Sequence, residues 1–121
     1  MLSFLRSPAA AGVQRIDPGE AVRRARSEEI TVIDVRDASE LATGRAEGAL
    51  HVPLMALRMK CDPASPERLA ELAPDRPIAL YCASGARSQM AGRMLVEMGY
   101  GEVYNLGGLH DWHAGGGRVQ R

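Results

Sequence analysis

Cys82 and Arg87, separated only by the small residues Ala83, Ser84, Gly85 and Ala86, are the residues of this chain best suited to covalent chemistry. Small side chains let successive backbone N–H groups turn toward a common centre and form a nest for an anion. A helix predicted to begin near Arg87 adds the positive end of its dipole. A thiolate in that setting is stabilised, and its pKa is expected below the ordinary thiol value of about 8.5. Arg87 is placed to pair with an anionic substrate or to brace loop carbonyls, and Ser88 to cap the helix or donate a hydrogen bond to sulfur. A cysteine that merely packs as a small hydrophobe has no need of Gly85 and Arg87 beside it.

This loop must be held by a scaffold, and 121 residues suffice for one domain with a continuous core. Fifteen Lys plus Arg balance fifteen Asp plus Glu, so no overall field draws the protein to nucleic acid or an anionic membrane. Any anion must be captured locally. With one Trp, three Tyr and one Phe, the core falls to Leu, Val, Ile, Ala and Met. Residues 1–12 read as a loose lead-in, because Arg6, Ser7 and Pro8 interrupt any signal-peptide core. No stretch reaches the roughly 18 to 20 apolar residues of a membrane span. A cytoplasmic location and free thiols at Cys61 and Cys82 are therefore expected.

Along the chain, strands are predicted at 13–16, 30–35, 49–53, 77–81 and 102–106, the last of these read as the final strand. Helices are predicted from Asp17 to Ser27, over 37–44, over a turn or two at 54–59, and over 65–72 and 87–99. Asp17 suits an N-cap, Pro18 the first helical position, and Glu20 the third, from which it can reach back to the cap amide. The run "ITVIDV" has the pattern of a strand buried on both faces. Met90, Met94 and Met98 form one stripe of the helix after the loop and are expected in the core. "GGLHDWHAGGG" reads as a turn and short helix, and residues 117–121 as a flexible tail. The alternation predicts one domain over 13–116: an α/β fold with one parallel sheet covered by helices on both faces. In such a fold ligands bind at the carboxyl ends of the strands, where Cys82 falls.

"CASGARS" resembles the active-site loop of the rhodanese family of sulfurtransferases, Cys-x-x-Gly-x-Arg-Ser. "VIDVRD" (32–37), "ELATGRAEGALHVP" (40–53) and "VYNLGGLHDW" (103–112) resemble further family segments, and the likeness spans about 13–114. Arg45 and Ala46 depart from the family's usual His and aliphatic residue. The resemblance implies the single-domain rhodanese-like α/β fold and a two-step relay without metal or organic cofactor. Cys82 would take the outer sulfur of a small sulfur-containing anion such as thiosulfate, and a thiol or cyanide would remove it from the persulfide. Residues 83–87 would form the cradle, with Arg87 as anion and loop anchor.

Two other readings belong beside it. A phosphatase or arsenate reductase of the related fold has five residues between cysteine and arginine, a wider ring than the four found here. Alternatively, the persulfide is carried to the thiol of a specific partner enzyme. Asp34 and Arg36, ending the second strand, either brace the Cys82 loop or form a local salt bridge. Cys61, in the polar stretch "RMKCDPASPE", reads as an exposed cysteine, with a resolving thiol as the alternative. His51, His110 and His113 lack further ligands at metal spacing, so no metal is expected. Trp112 and the Gly107–Gly108 pair are expected to serve packing and a tight turn.

Overall fold

A computed structural model describes residues 12–121, and the expected lead-in lies outside them but for Gly12. Five strands, β1 (Gln14–Arg15), β2 (Thr31–Asp34), β4 (Leu50–His51), β5 (Ile78–Cys82) and β6 (Val103–Gly108), form one sheet. Their order is β1-β6-β5-β2-β4, with every neighbouring pair parallel. A right-handed β-α-β crossover needs helices between such strands. These are α1 (Pro18–Arg26), α2 (Leu57–Cys61), α3 (Ala86–Glu97) and α4 (Leu109–Ala114), with 3₁₀ turns at Ala38–Thr43 and Leu54–Ala56.

The central strand β5 is wholly buried, and its side chains alternate between two cores. Ile78, Leu80 and Cys82 face one cluster with Leu57, Ala91, Leu95 and Tyr100. Tyr81 faces the other, with Ala21, Val22 and Trp112. Cys82 thus lies on the α3 face. Among the described residues no helix is long and apolar enough to cross a membrane.

Several expectations are corrected. The sheet is joined by a second, antiparallel ribbon in which β3 (Arg45–Ala46) pairs with β7 (Val119–Gln120). The end of the chain is therefore bonded where a flexible tail was expected, and β6 is not the final strand. Glu47 N and Trp112 Nε1 both donate to the Arg118 carbonyl, at 2.9 and 2.7 Å, and Val119 packs on the second core.

Residues 65–72 form successive turns instead of a helix. The Leu69 amide donates to the Lys60 carbonyl at 2.9 Å, outside any helical ladder, and the Ser65 hydroxyl donates to the Met59 carbonyl at 2.6 Å. These ties to α2 seat Leu72 fully in the core, and tertiary burial overrides helix propensity. The Met stripe also divides: Met94 and Met98 pack on the core, but Met90 is 55% exposed. The buried face of α3 is instead Ser88, Ala91, Gly92 and Leu95. A Cβ on Gly92 would press on Val13 and Leu80, so small residues let α3 lie close to the sheet. Asp17 caps α1 as expected, accepting from Glu20 N at 3.1 Å. Glu20 itself turns to Arg23 at 2.7 Å and does not return to the cap.

Candidate active site

The main strand sets the position of the sulfur. β5 ends at Cys82, and after Ala83 and Ser84 the chain turns into α3 through Gly85, whose left-handed φ of 102° disfavours any residue with a Cβ. That turn brings the Gly85 N–H to 3.0 Å from the Cys82 sulfur. The Ser88 hydroxyl, one turn into the helix, stands 3.5 Å from the same sulfur. Cys82 is 1% exposed, so the sulfur sits at the floor of its loop. Burial pushes its pKa up, but hydrogen bonds from the Ser88 side chain and the amides of Ser88, Gly85 and Ser84 outweigh it and hold the thiol below its ordinary value.

Strand β6 supplies the support. Its register against β5 shifts by one residue after Leu80, which pairs with Asn105, so that Tyr81 pairs with Gly107 and Cys82 with Gly108. Asn105 is turned by this bulge under the loop. Its Nδ2 donates to the Gly85 carbonyl at 3.0 Å and to Gln89 Oε1 at 3.1 Å, while its Oδ1 accepts from Gly107 N at 3.0 Å and the Ser88 hydroxyl at 2.7 Å. With its one proton given to Asn105, Ser88 faces the protonated sulfur as an acceptor. When the sulfur ionises, Ser88 can rotate to donate to it, and Asn105 keeps its bond from Gly107.

Gly108 runs so close to the loop that a Cβ there would collide with the Ala83 carbonyl. A cleft of about 440 Å³ adjoins the outer side of the loop, bordered by Arg15, Ser84, Gly85, Gln89, Asn105 and Asp111.

Arg87 carries the other half of the arrangement. Its guanidinium makes two bonds to the Glu40 carboxylate, 2.7 Å to Oε1 and 3.0 Å to Oε2. Glu40 is fixed in turn by the Asp37 amide at 2.9 Å, and these contacts hold its carboxyl down to about 2. Arg87 thus ties the cysteine loop to the 3₁₀ turn that follows β2.

Asp34 and Arg36 form a local salt bridge of 2.8 Å, both almost wholly buried, and neither bonds the Cys82 loop. Arg36 instead donates to the Gly44 carbonyl at 2.7 Å and reaches the Glu40 carbonyl at 3.5 Å, so the pair shapes the segment that carries Glu40. Asp34 also accepts from the Tyr81 hydroxyl at 2.7 Å. Burial works against the Asp34 carboxylate, but its bonds from Arg36 and Tyr81 prevail and its pKa is lowered.

Cys61 is fully buried at the end of α2, contrary to the exposed position expected, and burial pushes its thiol up to about 12. It belongs to the same buried cluster as Cys82. His51 Nε2 is hydrogen-bonded to the Arg36 carbonyl at 2.7 Å.

Sequence reasoning missed Glu40 and Asn105. Asn105 had a signal, a lone amide in the apolar strand "VYNL". Glu40 was hidden because Asp37 and Glu40 form the capping box of the 3₁₀ turn, a role that accounts for an acid at that position without any partner 47 residues away.

A cysteine at the carboxyl end of the central strand of a parallel sheet, cradled by the start of a helix, defines a protein able to hold a sulfur nucleophile against an anion. The chain belongs to the rhodanese-like domain family, whose model it matches over residues 17–115. It is 37% identical over 91 residues to a sulfurtransferase of Allochromatium vinosum, covering 74% of this chain and 78% of that protein. The thiosulfate sulfurtransferase PspE of Escherichia coli is 36% identical over 81 residues, 65% of this chain and 70% of its own. A solved structure of a Rhodopseudomonas palustris protein of unknown function, described as a possible tyrosine phosphatase, matches with a TM-score of 0.78 at 25% identity, covering 93% and 88%. The sulfurtransferase relatives support a transferase role for this chain.

Proposed function

We propose that the protein is a rhodanese-type sulfurtransferase that takes a sulfane sulfur from thiosulfate and passes it to a thiol or cyanide through a persulfide on Cys82. The observation that carries this reading is the Gly85 N–H aimed at the Cys82 sulfur from 3.0 Å at the start of α3. It stabilises the thiolate before attack and offers the same donor to the persulfide afterwards.

In the first step the Cys82 thiolate attacks the outer sulfur of thiosulfate. The bond to the sulfonate sulfur breaks, and sulfite leaves with that electron pair. In the second step cyanide attacks the terminal persulfide sulfur, forming thiocyanate and returning the electron pair to Cys82. A thiolate acceptor gives a new persulfide in the same way. Neither step requires a metal or organic cofactor. Cys61 and Cys82 are free thiols, which suits a reducing compartment such as the cytoplasm, where acceptor thiols abound.

The description of the Rhodopseudomonas palustris protein favours a second reading, phosphate-ester cleavage. The ring of four residues between Cys82 and Arg87 and the engagement of Arg87 by Glu40 weigh against it.

The test is intact-mass spectrometry of the reduced protein after brief exposure to thiosulfate, beside Cys82→Ser, with sulfite assayed in parallel. One added sulfur on the wild type alone, removed by cyanide as thiocyanate, is the expected result. No change in mass or sulfite, together with hydrolysis of p-nitrophenyl phosphate, would replace this reading with the second.

A further inference from the structure

Arg87 is the cation nearest in sequence to the sulfur and the residue expected to receive an anionic substrate, yet both of its terminal nitrogens are bonded to an acid. The Glu40 carboxylate takes two guanidinium N–H groups at 2.7 and 3.0 Å in the bidentate geometry that most strongly fixes an arginine. Glu40 is not a loose surface acid. Its side chain accepts from Asp37 N at 2.9 Å, and its own carbonyl accepts from Thr43 Oγ1 at 2.8 Å and Arg36 Nη1 at 3.5 Å. The side chains of Arg87 and Glu40 remain 33% and 31% exposed, so the pair stands at the rim of the site and not in the core. The guanidinium that a cysteine–arginine ring would offer to an oxyanion is thus engaged by a firmly held carboxylate; its charge still acts on Cys82, but the hydrogen bonds at the sulfur involve the Gly85 N–H and Ser88.

We propose that Glu40 is a specificity-determining residue, which holds the Arg87 guanidinium outside the ring and so weakens binding of dianionic oxyanions at Cys82. This rests on the sulfur-relay reading and deepens it. Backbone N–H groups alone suit one sulfur atom carrying a single charge, the thiolate and then the persulfide. Sulfate, phosphate and the thiosulfate donor itself, all anions that gain from a counter-charge, are held weakly, and sulfite leaves readily after transfer. The arrangement also opposes phosphate chemistry on a fold that can host it.

The experiment uses the full chain and reads protection of Cys82 from iodoacetamide by inorganic sulfate and by inorganic phosphate, in wild type and in Glu40→Gln. Freed from its carboxylate, Arg87 should tighten protection about ten-fold or more, on the scale of one charge-assisted hydrogen bond. The thiosulfate KM should fall in the same direction, and sulfite should become a stronger product inhibitor. Glu40→Gln/Arg87→Gln should lose the gain. Glu40→Asp, which keeps the charge but shortens its reach, should show a smaller gain, and it decides the matter if Glu40→Gln does not fold.

A purely structural Glu40 predicts the opposite sign, because a loosened loop would weaken protection and raise KM. Unchanged or weaker protection in both single variants overturns the proposal. The alkylation readout needs no sulfur transfer. If the wild type takes no sulfur from thiosulfate while Glu40→Gln still gains protection, only the sulfur-relay reading fails.

Discussion

The side-chain amide of Asn105 donates to the Gly85 carbonyl across 3.0 Å, so strand β6 holds the turn whose N–H points at Cys82. The geometry of the nucleophile is therefore set from a strand that contributes no atom to the sulfur itself.

Asn105→Ala should loosen that turn. It removes the donor to Gly85 and leaves Gly107 N and the Ser88 hydroxyl without their acceptor, a cost of about 1–3 kcal/mol on the usual scale for unmet hydrogen bonds. A lower urea midpoint, together with a higher apparent pKa in the pH profile of Cys82 alkylation, is the expected pair of results. A lower midpoint with an unmoved pKa would reduce Asn105 to a packing role.

The lowered pKa of Cys82 gives its reactivity a definite pH dependence. The thiolate fraction, and with it the rate of alkylation, should rise to a plateau centred below the ordinary thiol value of about 8.5. Ser88→Ala removes the side-chain bond to sulfur and should shift the profile upward, slowing alkylation at neutral pH several-fold while leaving the high-pH plateau near the wild-type rate.

Stability should fall in acid for a reason located at Asp34 and Glu40. Both carboxyls have lowered pKa values in the folded state, Glu40 at about 2. Their contribution is fully present above the unfolded values of about 3.9 and 4.3 and is lost as pH falls through the folded ones. Asp34→Asn abolishes the charge at any pH and strands the buried Arg36 guanidinium. A loss of about 3–5 kcal/mol at neutral pH, read by urea denaturation, is expected on the scale of a broken buried pair.

The two thiols should separate cleanly. A thiol-reactive disulfide reagent should modify one cysteine of the folded protein and two in guanidinium chloride, with peptide mapping placing the first on Cys82. Both cysteines are buried, but the Cys61 thiol is pushed up to about 12 while that of Cys82 is held below its ordinary value, so Cys61→Ala should leave sulfur transfer unchanged at some cost in core packing. Rapid labelling of Cys61 in the native protein would contradict its buried position.

What the sequence by itself determined was everything that local chemistry and periodicity encode. The apolar runs of β2 and β5, the Asp17 cap, and the small residues from Cys82 to Arg87 act over a few positions, so the parallel α/β layout and the cysteine loop at a strand end were readable from them. Only the tertiary structure decided what Arg87 faces, because Glu40 is 47 residues away and a guanidinium leaves no local trace of its partner. The same holds for Asn105, brought under Gly85 by a one-residue bulge against β5 that no periodicity announces. Residues 65–72 and 119–120 went the other way: a helix signature yielded to hydrogen bonds back to α2 and the burial of Leu72, and an apparent tail to pairing with β3 and the packing of Val119, which local propensities of tenths of a kcal/mol per residue do not outweigh. Cys61 was read from its polar neighbours, but its side chain points from the end of α2 into the core, a direction that exists only once the helix is docked.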